Sequence, residues 1–125
     1  MMEAAFQREK TCRSSGKILQ RMREMEIKAK STDRNLLLEF YGELDHHAAR
    51  DTIQETDLAI DAALPRNLVL DMEGVTFMDS SGIAVILRAH RRMQHLNGSM
   101  VVCHVPQQAR RVLDAAGIGR LVKIQ

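Results

Sequence analysis

Asp79-Ser80-Ser81-Gly82 is the stretch of this chain whose residue types and spacing most readily do chemistry. It stands between an apolar run, Leu68-Val69-Leu70-Asp71-Met72, and an amphipathic one at residues 83–96. A buried strand followed by a helix puts the serines where backbone N–H groups lack intrahelical partners, a setting that accepts an anion. A hydroxyl there can cap the helix, and a phosphate carried on it would be held by the same N–H groups and by the helix dipole. The residues therefore admit two uses, an ordinary cap and a phosphorylation switch. A serine nucleophile fits less well. The elbow pattern Gly-x-Ser-x-Gly has Met78 in place of its first glycine, and the sequence places no base beside Ser80.

The remaining polar candidates carry less. His46-His47 beside Asp45 suggests a metal, but neighbours on a helix point about 100° apart, and no His pair has the i, i+4 spacing of His-Glu-x-x-His. His104 follows a strand end with no carboxylate motif beside it, and Cys103 reads as a small buried hydrophobe in a reducing compartment. Without a Walker loop or Gly-x-Gly-x-x-Gly, a catalytic nucleotide site is not expected, and neither metal nor cofactor is. Arg88, Arg91, Arg92 and His95 share one helix face, either an electropositive contact surface beside the serine turn or a solvated face.

The elements that must position these residues follow from the hydrophobic pattern. Residues 27–30 and 36–41 read as strands of a hairpin joined by the polar stretch 31–35, with Gly42 ending the second. Asp45 suits the N-cap of a helix whose inward positions are Ala49, Ile53, Ile60 and Leu64, and Pro65 stops it. Residues 67–72 are the most uniformly apolar strand candidate, as expected of a central strand covered on both faces. The helix at 83–96 turns Ile83, Ile86, Ala89, His90, Met93 and Leu96 inward and ends at Asn97-Gly98. Residues 99–103 form the next strand, and Pro106 takes the first position of a short helix with Ala109, Val112, Leu113 and Ala116 inward. Gly117 caps it and residues 121–124 close as a last strand. The order β-β-α-β-α-β-α-β predicts an α/β fold, a mixed sheet with helices packed on it.

At 125 residues and 45% hydrophobic content the chain reads as one domain with a core of its own. It has four aromatics, Phe6, Phe40, Tyr41 and Phe77, too few for the stacking platforms of sugar or single-strand binding. The net charge of +2 is uneven: residues 1–24 carry six Lys/Arg against three Asp/Glu, leaving twelve against thirteen for the rest. The domain itself is near neutral, with no case for direct nucleic-acid binding. Residues 1–24 read as an extension holding a short helix from Lys17, with Ile18, Met22 and Met25 on one face, and Met25 is a candidate translation start. No signal-peptide core and no run of about 18 apolar residues is present, which predicts a cytoplasmic protein that does not enter a membrane.

Four segments taken together, Gly42-Glu43-Leu44-Asp45-His46-His47, Phe77-Met78-Asp79-Ser80-Ser81-Gly82, Gly98-Ser99-Met100-Val101-Val102-Cys103 and Leu113-Asp114-Ala115-Ala116-Gly117-Ile118, resemble in order and spacing the anti-sigma factor antagonists of the STAS domain family. The likeness is greatest to the branch that controls the first forespore sigma factor of endospore formers, and it covers residues 25–125. It implies a single STAS-type domain that is not an enzyme. Such a domain binds an anti-sigma factor with serine kinase activity, releases the sigma factor, is inactivated by phosphorylation and is restored by a protein phosphatase. The resemblance maps the phosphorylated serine onto Ser80 and the partner-binding surface onto Asp45, Asp79, Ser81, Gly82 and Arg88. Residues 1–24 have no counterpart in it, and the basic outer face of the helix departs from it. A STAS scaffold of a stress or signalling complex, not switched at Ser80, is the alternative reading.

Overall fold

The computed structural model describes residues 25–125, so the expected extension and its short helix lie outside the described residues. Five strands form one sheet in sequence order: β1 (Glu26–Thr32), β2 (Asn35–Leu44), β3 (Asn67–Met78), β4 (Ser99–Cys103) and β5 (Lys123–Ile124). β1 runs antiparallel to β2, and the other pairs are parallel. Three helices, α1 (His46–Ala63), α2 (Ser80–His95) and α3 (Gln107–Ala115), fall between the later strands. This is the mixed α/β order expected from the pattern.

Alternation along the strands sets the layers. Leu36, Leu38 and Phe40 of β2, Leu68, Leu70 and Met72 of β3 and Met100 and Val102 of β4 are buried, and they join Ile60 of α1, Ile86 and Met93 of α2 and Leu113 of α3 in one core. The residues between them face the other way and are only half-buried, which corrects the expectation that β3 is covered on both faces. The register explains its apolar content. Lys30, Leu37, Val69, Val101 and Lys123 lie side by side across the sheet, so the valines shelter one another in a row closed by two lysines. The next row holds Lys28, Glu39, Asp71 and Cys103. Cys103 is therefore not the buried hydrophobe expected; partial burial and the Asp71 and Glu73 carboxylates push its thiol above the ordinary range.

Several boundaries differ from the pattern for identifiable reasons. Gly42 does not end β2: at φ 110° it sits at a register shift, a conformation glycine adopts without strain, and pairing resumes to Leu44 beside Met78. α2 begins at Ser80, three residues before the apolar periodicity, and its buried face is Gly82, Val85, Ile86, Ala89 and Met93. Leu96 falls at the C-cap and is exposed. Leu64 is likewise exposed: the helix stops before Pro65, and Leu64 takes the left-handed conformation at the C-cap, where its N–H still donates to the Ile60 carbonyl. Asn97 rather than Gly98 takes the positive φ after α2. Pro106 is the N-cap of α3 rather than its first residue, Ala116 is exposed at its other end, and the last strand shortens to Lys123–Ile124 behind a 3₁₀ turn at Ile118–Arg120.

Candidate functional site

β2 and β3 end side by side, Leu44 paired with Met78, and each runs directly into an aspartate and then a helix. Asp45 and Asp79 have nearly the same extended backbone, φ −109° and ψ −174° against φ −113° and ψ −169°, the geometry of an N-cap. Asp45 Oδ1 accepts from the backbone N–H groups of His47 (3.0 Å) and Ala48 (3.1 Å). Asp79 divides its carboxylate. Oδ1 accepts from Ser81 N–H at 2.8 Å, and Oδ2 reaches across to His46 N–H at 3.3 Å. The Asp79 N–H in turn donates to the Leu44 carbonyl at 3.3 Å. The two strand-to-helix junctions are thereby tied to each other, which brings Asp45 to the same end of the sheet as Asp79, Ser80, Ser81 and Gly82.

This division of labour corrects one expectation. The serine hydroxyl does not cap α2, because the Asp79 carboxylate does. Ser80 is the first residue of the helix, exposed, and its hydroxyl makes no hydrogen bond among the described residues; Ser81, half-buried, follows with its N–H occupied. Gly82 completes the turn and is buried against the strand ends. A Cβ on it would stand 2.6 Å from Met78 Cγ and 3.2 Å from Leu44 Cδ2, so only glycine lets the first turn of α2 sit this close.

Gln108, near the start of α3, carries no local signal in the sequence. Its Oε1 accepts from Met78 N–H and its Nε2 donates to the Met78 carbonyl, both at 2.8 Å. β4 stops at Cys103, whose partner on β3 is Asp71, too early to pair with the end of that strand. One side-chain amide supplies the donor and acceptor that a longer β4 would have provided. Phe77, 42% exposed, and Glu43, its register partner, flank the site on the strand side.

Arg88 lies elsewhere. Eight residues along α2 carry it about 12 Å from Ser80, where its Nη2 meets Asp57 Oδ2 of α1 at 3.2 Å. Arg92 pairs with Asp61 and, at 3.9 Å, with Asp57. Two of the four groups on the supposed basic face are thus held in ion pairs with α1 and do not adjoin the turn. The His46 and His47 rings, expected to point apart, sit with centroids 3.9 Å from each other. His104 does have a carboxylate beside it, contrary to the sequence reading: Asp71 Oδ1 is 3.3 Å from its Nδ1. No helix among the described residues is long and apolar enough to cross a membrane.

The arrangement ties two strand-to-helix junctions together and presents the exposed, unbonded Ser80 hydroxyl next to the Asp79 cap. A family model described as STAS domain matches residues 26–125. A relative from Paenibacillus polymyxa named anti-sigma F factor antagonist is 35% identical over 89 residues, 71% of this chain and 76% of that protein. The fold is similar to the anti-sigma factor antagonist SpoIIAA in its unphosphorylated form, with TM-score 0.68, 24% identity and coverage of 80% of this chain and 88% of that one. It is also similar to the Bacillus cell fate determinant SpoIIAA in the phosphorylated form, with TM-score 0.61, 24% identity and coverage of 80% and 91%.

Proposed function

The chain belongs to the STAS domain family and by homology is an anti-sigma factor antagonist, and on that premise we propose that it is a partner switch controlled by phosphate on Ser80. The observation that carries the proposal is the freedom of the Ser80 hydroxyl: with Asp79 serving as the cap, the serine is exposed and uncommitted at the first position of α2. In its unmodified form the domain, which residues 1–24 precede as an extension, binds an anti-sigma factor with serine kinase activity in the cytoplasm and releases the sigma factor. Asp45, Asp79, Ser81 and Gly82 form the centre of the contact, and Arg88 its outer edge. The kinase then transfers phosphate to Ser80 and a phosphatase removes it. That the name of a relative specifies sigma F supports a role in the transcription programme of sporulation.

Local electrostatics account for the switch. Phosphate adds about −1.5 to −2 charges, which the N-terminus of a helix tolerates, so the fold persists. The surface changes instead. A partner fitted to a neutral hydroxyl next to Asp79, at the junction tied to that of Asp45, meets a further, larger negative charge, and each 1.4 kcal/mol of repulsion and desolvation lowers affinity about tenfold.

Incubation with the cognate kinase and ATP, followed by mass spectrometry, is expected to place a single phosphate on Ser80. Ser80→Ala should take none and bind the anti-sigma factor constitutively, whereas Ser80→Asp should bind at least about tenfold more weakly, with melting temperatures of all forms within a few degrees. Phosphate on Ser81, or unfolding on modification, would overturn the assignment.

A further inference from the structure

On the open face of the sheet, Asp71, Cys103 and His104 turn three different donor atoms towards one point. Asp71 of β3 and Cys103 of β4 are register partners, so their side chains project together from that face. His104 follows in a left-handed conformation, φ 55°, and its ring comes back onto both. Its Nδ1 is 3.6 Å from Cys103 Sγ and 3.3 Å from Asp71 Oδ1, and all three atoms lie within 4.8 Å of one another.

The geometry separates two chemistries that use these residue types. A thiol–imidazole–carboxylate relay needs sulfur at one ring nitrogen and the carboxylate at the other. Here both face the same Nδ1, so the set does not pass a proton from one end to the other. Both contacts fall in the range of an ion pair and a hydrogen bond, and the same three atoms are also spaced as ligands about a shared cation. A tetrahedral zinc ion with bonds of about 2.3 Å to sulfur, about 2.05 Å to nitrogen and about 2.1 Å to oxygen holds S and N about 3.6 Å apart and N and O about 3.4 Å apart. The two observed separations match those edges.

We propose that Asp71, Cys103 and His104 form a binding site for a divalent transition metal of the zinc class, with three protein ligands and an open fourth position. The surroundings suit such an ion. Asp71 Oδ1 is fixed by the Glu73 N–H at 3.0 Å, as a ligating carboxylate needs, and the Glu39 carboxylate belongs to the neighbouring register position. His104 is exposed, which gives an ion entry and leaves the fourth position to water or to a donor from a bound protein. Binding releases the Cys103 thiol proton to solvent and places the imidazole proton on Nε2, leaving Nδ1 for the metal. The site stands on strand residues seven positions before Met78, about 23 Å of β3 from the end that carries the switch. It is therefore a second ligand site, independent of Ser80.

Cobalt(II), whose spectrum reports thiolate ligation and tetrahedral geometry, tests this on the full chain freed of metal with a chelator. One equivalent should produce thiolate-to-cobalt charge-transfer absorption and strong visible bands, which equimolar zinc removes. Cys103→Ser should abolish the charge-transfer band, and Asp71→Asn and His104→Ala should each weaken cobalt binding about tenfold or more. Cys12→Ser should leave the spectrum unchanged. Because His104 is exposed, its replacement should preserve the melting curve of the metal-free protein and keep the test clean. Absence of the band from the native chain would overturn the proposal. So would a band that persists in Cys103→Ser, or affinity unaltered in both Asp71→Asn and His104→Ala.

Discussion

The two strand-to-helix junctions, Leu44-Asp45-His46 and Met78-Asp79-Ser80, use the same device to different ends. Both place an aspartate in an extended conformation at the start of a helix. Asp45 spends one carboxylate oxygen on two N–H groups of its own helix. Asp79 spends one oxygen on its own helix and the other on its neighbour's. The second junction is further fixed by Gln108 on Met78 and by the tight seat of Gly82, whereas the equivalent third position of α1 is Ala48, which has room for its methyl. The first junction is a cap. The second is a cap held from three sides, and the residue it presents, Ser80, takes no part in the holding. That separation lets a group be modified without dismantling what positions it.

The sharpest way to break the contrast is at the third helical position. Gly82→Val forces new atoms into Met78 and Leu44, both fully buried, and overpacking of this kind costs about 1–3 kcal/mol. Ala48→Gly at the matching place in α1 creates no clash and should cost at most about 1 kcal/mol. Denaturant midpoints of the two variants measure the difference. Equal losses would show that the two junctions are packed alike.

Removal of the caps tests the sharing. Asp79→Ala and Asp45→Ala should each cost about 0.5–2 kcal/mol. Their signatures should differ in amide exchange: Asp45→Ala speeds exchange at His47 and Ala48 alone, while Asp79→Ala speeds it at Ser81 and, across the junction, at His46. Gln108→Ala is smaller, about 1 kcal/mol, because the Met78 N–H and carbonyl each lose one partner at a partly buried strand end. Its effect should appear as faster exchange at Met78. Protection there unchanged from the native protein would remove Gln108 from the junction.

What could be read in advance, and what could not, follows the range of the interactions. Apolar runs and Asp-Ser-Ser-Gly are local signals, and they locate α2, the turn before it and the first half of β3; the strand runs on past residue 72 to Met78, a polar-interrupted half that only pairing with the end of β2 holds in line. The end of β2 is not legible locally, because Gly42 as a stop and Gly42 as a bulge look alike until pairing with β3 decides. The hydrophobic period of α2 favours Leu96 over Val85, whereas the helix buries Val85 and exposes Leu96, since it starts on polar residues that carry no such period. Gln108 and Met78 are thirty residues apart, and Asp71 meets Cys103 and His104 only through strand register. Nothing local marks either meeting. The choice of Ser80 over Ser81 came from the family resemblance, and the structure adds that Ser80 is the more exposed of the two.

The least effect is expected at Arg88, and it bounds the site. Half of this side chain is exposed and its partner is Asp57 of α1, so Arg88→Ala breaks a surface pair worth under about 1 kcal/mol and weakened further by salt. A protein that grips Arg88 must first draw it from Asp57, which subtracts from whatever the new contact contributes. Binding of the anti-sigma factor should therefore fall less for Arg88→Ala than for Ser80→Asp, and phosphate transfer to Ser80, about 12 Å away along the helix, should proceed as in the native chain. Titration of both variants against the same partner decides the matter. A loss at Arg88 equal to that at Ser80 would extend the recognition surface down α2, and the held junction at Asp79 would then be one end of the contact instead of its centre.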